Sequence, residues 1–265
     1  MEGLNTKILR ECSIPLPEIS EQRRIAEQLE QADRQRRTRR YALELTDTLL
    51  PAAFNKLFGA ANPHSVGWPS VELAELCERE DDIRCGPFGT QLNRREFRTS
   101  GVPLWGIKHV NAEFGITTHE FLTQAKAEEL EEYSLIPGDL VMTRKGTVGN
   151  CALYPSEFQN GIMHSDLLRI RLKPGTCSPL FLTHQLHNSR SIERQIEMIS
   201  GGAIMAGINV GMLKSIRVQL PPLHLQQWFA NLVGRVESLR VVQRESLYQA
   251  EHLFSSLLHR AFKPG

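Results

Sequence analysis

The chain has 265 residues, 41% hydrophobic and 23% charged, with a formal net charge of +1, a balance that belongs to a folded globular protein and excludes a disordered or fibrous one. It contains no run of about 18 apolar residues, and Met1-Glu2-Gly3-Leu4-Asn5-Thr6-Lys7 lacks the basic and apolar blocks of a secretion signal, so a cytoplasmic protein without a membrane partner is expected. Cys12, Cys77, Cys85, Cys151 and Cys177 are odd in number and scattered, which speaks against a metal pair or a disulfide framework and for free thiols, with no metal and no cofactor.

The two ends of the chain repeat each other without a gap. Gly3 aligns with Gly207, Asn5 with Asn209, Leu9 with Leu213, Ile14 with Val218, Pro17 with Pro221, Gln22 with Gln226 and Ala26 with Ala230. Each copy opens on an extended, proline-bearing stretch, Ser13-Ile14-Pro15-Leu16-Pro17 or Arg217-Val218-Gln219-Leu220-Pro221-Pro222, which marks a junction. The chain therefore reads as a leading segment over 1–18, a first long helix over 19–60, an inserted domain over 68–220 and a second long helix over 221–262.

The first helix has a polar start at Ser20-Glu21-Gln22-Arg23 and no proline before Pro51. At about 1.5 Å per residue, roughly 38 residues span on the order of 57 Å, too long for a helix folded into a small globule. Its apolar stripe is Ile25, Leu29, Ala32, Leu43, Leu50, Ala53 and Leu57; that of the second helix is Phe229, Leu232, Val236, Leu239, Leu247, Ala250, Phe254, Leu257 and Ala261. Stripes this narrow fit an antiparallel, coiled-coil-like pair, the alternative being that each helix packs on a domain. The run Arg34-Gln35-Arg36-Arg37-Thr38-Arg39-Arg40 is either a solvated face or a contact for DNA phosphates.

The insert reads as a separate mixed domain, which makes the fold class α+β. Strands are predicted over 102–107, 140–143 and 167–172, and helices over 125–132 and 178–198, the last with Ser178 as cap and Pro179 at the first helical position. Three polar glycine loops stand out: Cys85-Gly86-Pro87-Phe88-Gly89-Thr90-Gln91-Leu92, Thr143-Arg144-Lys145-Gly146-Thr147-Val148-Gly149, and the stretch 200–209. Glycine lets backbone approach a ligand, while Arg, Lys, Thr and Gln donate to phosphates and base edges. The phosphate-binding order G-x-x-x-x-G-K-[ST] is missing.

Taken in order, 86–92, Gly101-Val102-Pro103-Leu104-Trp105-Gly106-Ile107-Lys108-His109-Val110 and 135–149, closed by the L-P-P-L-x-x-Q-Q pattern at 220–227, resemble the target recognition domain of type I restriction-modification specificity subunits. The resemblance covers essentially the whole chain. It implies one recognition domain on a helical spacer, a non-catalytic subunit that binds double-stranded DNA at a bipartite site and directs DNA methyltransferase and restriction subunits to it. It also implies a DNA face at Gly86, Phe88, Gly89, Thr90, Gln91, Lys108, Arg144, Lys145, Gly146 and Thr147, with Asn93, Arg94 and Arg95 as further readers. Several of the glycines and prolines serve turns equally well, and His109 and His164 read as ordinary polar residues. Typical members carry two recognition domains where this chain carries one, so the chain is either a half-subunit that forms a homodimer or a fragment of a longer subunit.

Two rival readings remain. A metal nuclease needs convergent carboxylates, and Met142-Thr143-Arg144-Lys145 after Asp139 offers none, while Glu80-Asp81-Asp82 reads as solvated. Asn62-Pro63-His64-Ser65 is not the N-P-P-[YF] loop of an adenine methyltransferase. The other rival is a protein-only helical scaffold, distinguished by having no salt-sensitive affinity for DNA.

Overall fold

The structure is a computed structural model, and it describes residues 16–59, 67–146, 148–199 and 207–262. The leading segment through residue 15, Thr147 and residues 200–206 of the third glycine loop lie outside the described residues. The chain divides into two compact units, one of them Pro51–Val233 and the other built from the remainder of two long helices.

Those helices are α1, Ile19–Phe58, and the last helix of the chain, Leu223–Ala261. In their own unit they run antiparallel, because contacts ascend along one as they descend along the other. The Arg36 guanidinium lies 4.0 Å over the Phe254 ring, Arg40 pairs with Glu251 at 2.7 Å, and Arg240 donates to the Thr46 carbonyl at 3.0 Å and pairs with Asp47 at 3.0 Å. Ala32, Leu50, Val236 and Ala250 are buried between them. Of the first stripe, Ala32 and Leu50 are buried in this unit and Ile25, Leu29 and Leu43 are half-buried, whereas Leu239 of the second stripe is 58% exposed. Its neighbour Arg240 takes the inward place, with its side chain 15% exposed and its guanidinium given to Thr46 and Asp47. The arginine run finds partners within this unit while Arg34 and Arg37 stay about three-quarters exposed: Arg34 pairs with Glu30, Arg36 and Arg37 with Asp33, Arg40 with Glu251, and Arg39 donates to Ser246.

In the unit Pro51–Val233 the strands are short and the sheets small. In chain order the elements are β1 (Ser70–Glu72), β2 (Ile83–Cys85), β3 (Val102–Trp105), α2 (Ile107–Asn111), β4 (Phe121–Leu122), α3 (Gln124–Glu129), β5 (Ser134–Leu135), β6 (Leu140–Thr143), β7 (Cys151–Leu153), β8 (Gly161–Met163) and β9 (Leu167–Ile170). There follow α4 (Pro179–Asn188), α5 (Arg190–Ile199), α6 (Val210–Lys214), β10 (Arg217–Gln219) and, as the second long helix, α7. One four-stranded antiparallel sheet has the order β2-β9-β6-β7, a second has the order β4-β3-β8-β5 with β3 and β8 parallel, and β1 pairs with β10. The mixed α/β domain with two long helices is the architecture that the sequence predicts. The single helix expected over 178–198 is two: Ser178 caps α4 and Pro179 opens it, but Ser189 adopts an extended conformation, and Asn188 turns its amide back to the His184 carbonyl at 2.8 Å. Such short polar side chains offer backbone groups an alternative to the helix ladder.

Two apolar clusters hold this unit. Between the sheets, Trp105 donates to the Tyr154 hydroxyl at 2.9 Å and stacks on Phe158, with Phe114 edge-on to both Trp105 and Tyr154. Elsewhere Phe54 and Phe58 of α1 meet Phe181 of α4 and Phe229 of α7 in tilted and edge-to-face contacts between 4.9 and 6.4 Å. Two arginines of the β9 region serve structural ends, one buried and one half-buried. Arg169, 3% exposed, donates to the carbonyls of Glu132, Ser134 and Asp81, and burial draws its pKa below the usual arginine value. Arg171 forks onto both oxygens of the buried Asp139 at 2.8 Å, and that hydrogen-bonded partner raises its pKa.

The outer edge of β10 is met by side chains rather than by a strand. Gln195 of α5 accepts from the Arg217 amide at 2.8 Å and donates to its carbonyl at 3.0 Å, and Gln185 of α4 donates to the Gln219 carbonyl at 2.9 Å.

Candidate nucleic-acid interface

The sheet register fixes where the predicted loops lie. Cys85 at the end of β2 stands opposite Leu168, and Thr143 at the end of β6 opposite Leu167, so β2 and β6 finish where β9 begins. Trp105 at the end of β3 pairs with Met163 at the end of β8, and residues 164–166 carry the chain from β8 to β9. Four strand ends thus meet one turn, His164-Ser165-Asp166.

That turn organises the site through its backbone. His164 donates its amide to the Trp105 carbonyl at 2.8 Å, Gly86 to the Leu167 carbonyl at 3.0 Å, and Arg144 to the Asp166 carbonyl at 3.0 Å. Gly86 is buried, and a Cβ there would come within 2.2 Å of the His164 oxygen. Its role is close backbone approach. Gly86→Ala is expected to destabilise the domain by about 1–3 kcal/mol through overpacking, a loss to be read in a denaturant titration.

Around the turn the chemistry is cationic and partly preset. The Cys85 thiol donates to the Ser165 carbonyl at 3.4 Å and accepts from Arg144 Nη1 at 2.9 Å. Burial pushes its pKa up against the opposing pull of Arg144, which keeps it a neutral thiol. The Arg144 guanidinium also lies 5.1 Å over the ring of Phe88, which is 56% exposed. Lys145 points outward, its ammonium 3.2 Å from Asp166, and His164 Nδ1 lies 3.5 Å from the other Asp166 oxygen. Gly207, the first described residue of the third glycine loop, sits against the Arg144 carbonyl, which a Cβ there would approach to 3.0 Å.

The remaining candidates are less closely knit. Gly89 and Thr90 are exposed, Gly89 with φ +58 and Gly146 with φ +74, conformations that favour glycine. The Gln91 carbonyl oxygen is engaged by the Phe88 amide at 2.9 Å and the Tyr133 hydroxyl at 3.2 Å, so part of this side chain holds the loop. Asn93 caps the following turn by accepting from Arg95, while Arg94 and Arg95 stay exposed. Lys108 is exposed on α2, which starts two residues after Trp105 and reaches Asn150 through Asn111 at 2.8 Å. His109 beside it is fully buried, accepts from the Gly106 amide at 3.0 Å, and has its pKa lowered by burial. Sequence reasoning missed the 164–166 turn, whose contribution is mostly carbonyl oxygens; the one signal was Gly86.

Among the described residues no group of three or more His, Cys, Asp or Glu side chains stands ready to hold a metal, and no helix is long and apolar enough to cross a membrane.

Comparison with known proteins shows the family and the fold. A family model described as the type I restriction modification DNA specificity domain matches residues 65–238. The chain is 24% identical over 262 residues to a putative type I restriction enzyme MjaX specificity subunit of Methanocaldococcus jannaschii, covering 94% of this chain and 58% of the relative. In fold it is similar to a chain solved for the assembly and conformational transition of the type I R-M system, with TM-score 0.64 and 24% identity, over 94% of this chain and 60% of that one. It is similar likewise to the HsdS subunit of Thermoanaerobacter tengcongensis, with TM-score 0.59 and 22% identity over the same shares. The chain thus spans about three fifths of the length of these relatives.

Proposed function

The chain belongs to the type I restriction-modification DNA specificity domain family, and from that premise we propose that it is a non-catalytic subunit that reads DNA for a restriction-modification complex. In this reading residues 68–220 recognise one part of a bipartite duplex site, and the helices over 19–60 and 221–262 are the spacer on which DNA methyltransferase subunits dock, with the restriction subunit joining through the complex. The observation that carries it is the meeting of Cys85, Gly86 and Arg144 at one turn at the end of two sheets, with Arg144 half-buried and Lys145 exposed beside it.

Phosphate contacts release counterions, so affinity for duplex DNA is expected to fall linearly on a log–log plot against salt. Replacing Arg144 and Lys145 together by alanine is expected to weaken binding about tenfold or more while the thermal melt stays in place. Binding with no salt slope in the parent chain would favour the scaffold reading instead, and unchanged affinity in the double variant would move the DNA face elsewhere.

A second reading, a homodimer that reads a palindromic split site, is favoured by an unburied apolar stripe on α1: Tyr41, Leu45 and Leu49 are 61%, 51% and 48% exposed at helical spacing. Two copies of one module present the same reader to each half-site. Sequencing methylated adenines in cells that express the chain with a methyltransferase subunit distinguishes the two: a palindromic motif supports the homodimer, and an asymmetric one refutes it.

A further inference from the structure

Arg144 and Lys145 are adjacent in sequence, and the structure holds them in different ways. Arg144 is fixed at three points: its amide to the Asp166 carbonyl, its Nη1 to Cys85 Sγ at 2.9 Å, and its guanidinium over the Phe88 ring. Lys145 has 62% of its side chain in solvent and one ion pair, to Asp166. A free arginine gives up rotamer freedom when it docks, and that loss is smaller when the planar fork is already held. A fixed fork suits a base edge, whose two acceptors must be met in one plane, whereas a mobile ammonium suits a phosphate, which accepts a point charge from many directions. Phe88 adds an exposed apolar surface beside the fork, and among the described residues the one side-chain hydrogen bond of the fork is to Cys85.

We propose that Arg144 is a base reader, presented to the O6 and N7 edge of a guanine, with Cys85 as the residue that positions it, and that Lys145 beside it contacts phosphate. The assignment rests on the DNA-reading role proposed above. Cys85 works in both directions, donating to the Ser165 carbonyl and accepting from Arg144. Serine can do both; alanine can do neither.

The test uses the full chain. A motif is first selected from a pool of random duplexes, and each guanine in it is then replaced in turn by 7-deazaguanine, which removes N7 alone. At one guanine the replacement is expected to weaken binding by about 2- to 12-fold, the share of one of the two hydrogen bonds in a bidentate contact. Arg144→Ala abolishes the effect at that position. Cys85→Ala shrinks it while Cys85→Ser preserves most of it, and thermal melts of both confirm that the domain is folded. Lys145→Ala weakens all duplexes alike and makes the salt slope shallower by about one. If Arg144→Ala weakens every duplex equally and no guanine depends on it, the base-reading assignment is wrong although DNA recognition stands. If the chain selects no motif and shows no salt-dependent binding, the DNA-reading role fails and takes the assignment with it.

Discussion

Asp139→Ala is expected to lower the unfolding free energy by about 3–5 kcal/mol, the range for removing one partner of a buried ion pair. Asp139 is 1% exposed, takes two bonds from Arg171, and accepts a third from the Ile136 amide at 2.8 Å. Alanine leaves the guanidinium without its counter-charge and the Ile136 amide without its acceptor. Against a typical stability of about 5–15 kcal/mol this is a large fraction. Pairing it with Arg171→Met separates the two contributions: if the penalty comes from the stranded charge, the double variant recovers much of the loss in a urea titration, since the charge is gone and the aliphatic stem remains. An additive double variant would mean that packing, not charge, holds the strand start. Because Asp139 immediately precedes β6, whose far end delivers Arg144, the same titration followed by DNA binding shows how far the pair supports the reading loop.

Phe229→Ala should have an effect of similar size, about 3–5 kcal/mol, for deleting a fully buried ring. The ring touches Phe54, Phe58, Phe181 and His184 at centroid distances of 5.5, 5.4, 6.4 and 5.3 Å, so no single neighbour can relax into the space. Phe229→Leu keeps most of the volume and is expected to lose less than half as much. The measurement is the urea midpoint at constant slope; equal midpoints for the alanine variant and the parent would show that the cluster repacks.

The helices were legible because a repeat, long stretches without proline and apolar steps of three and four all gave the same answer. Leu239 was misplaced because hydrophobicity cannot foresee that Arg240 would be drawn inward by Thr46 and Asp47. β3, β6 and β9 were found as apolar runs, whereas β1, β2, β7 and β8 have three residues each, too few for a period to show. At the site, the loops 86–92 and 143–149 were picked out singly by glycine and charge. Their meeting was not visible, since it is made by carbonyls of Ser165, Asp166 and Leu167, and a carbonyl is the same on every residue. The Cys85–Arg144 contact joins positions 59 residues apart, and nothing local announces it.

Two amides stand where a neighbouring strand of β10 would lie. Gln195 offers its oxygen and nitrogen to Arg217 in the spacing of a backbone peptide, and Gln185 continues the row at Gln219. An open strand edge is a template on which another chain can align and start a growing stack. Here the template on the β10 side is already occupied by groups that cannot propagate it, so that edge of the small sheet is capped without a third strand. A glutamate at 195 would keep the acceptor but lose the donor, and would reopen half of that edge.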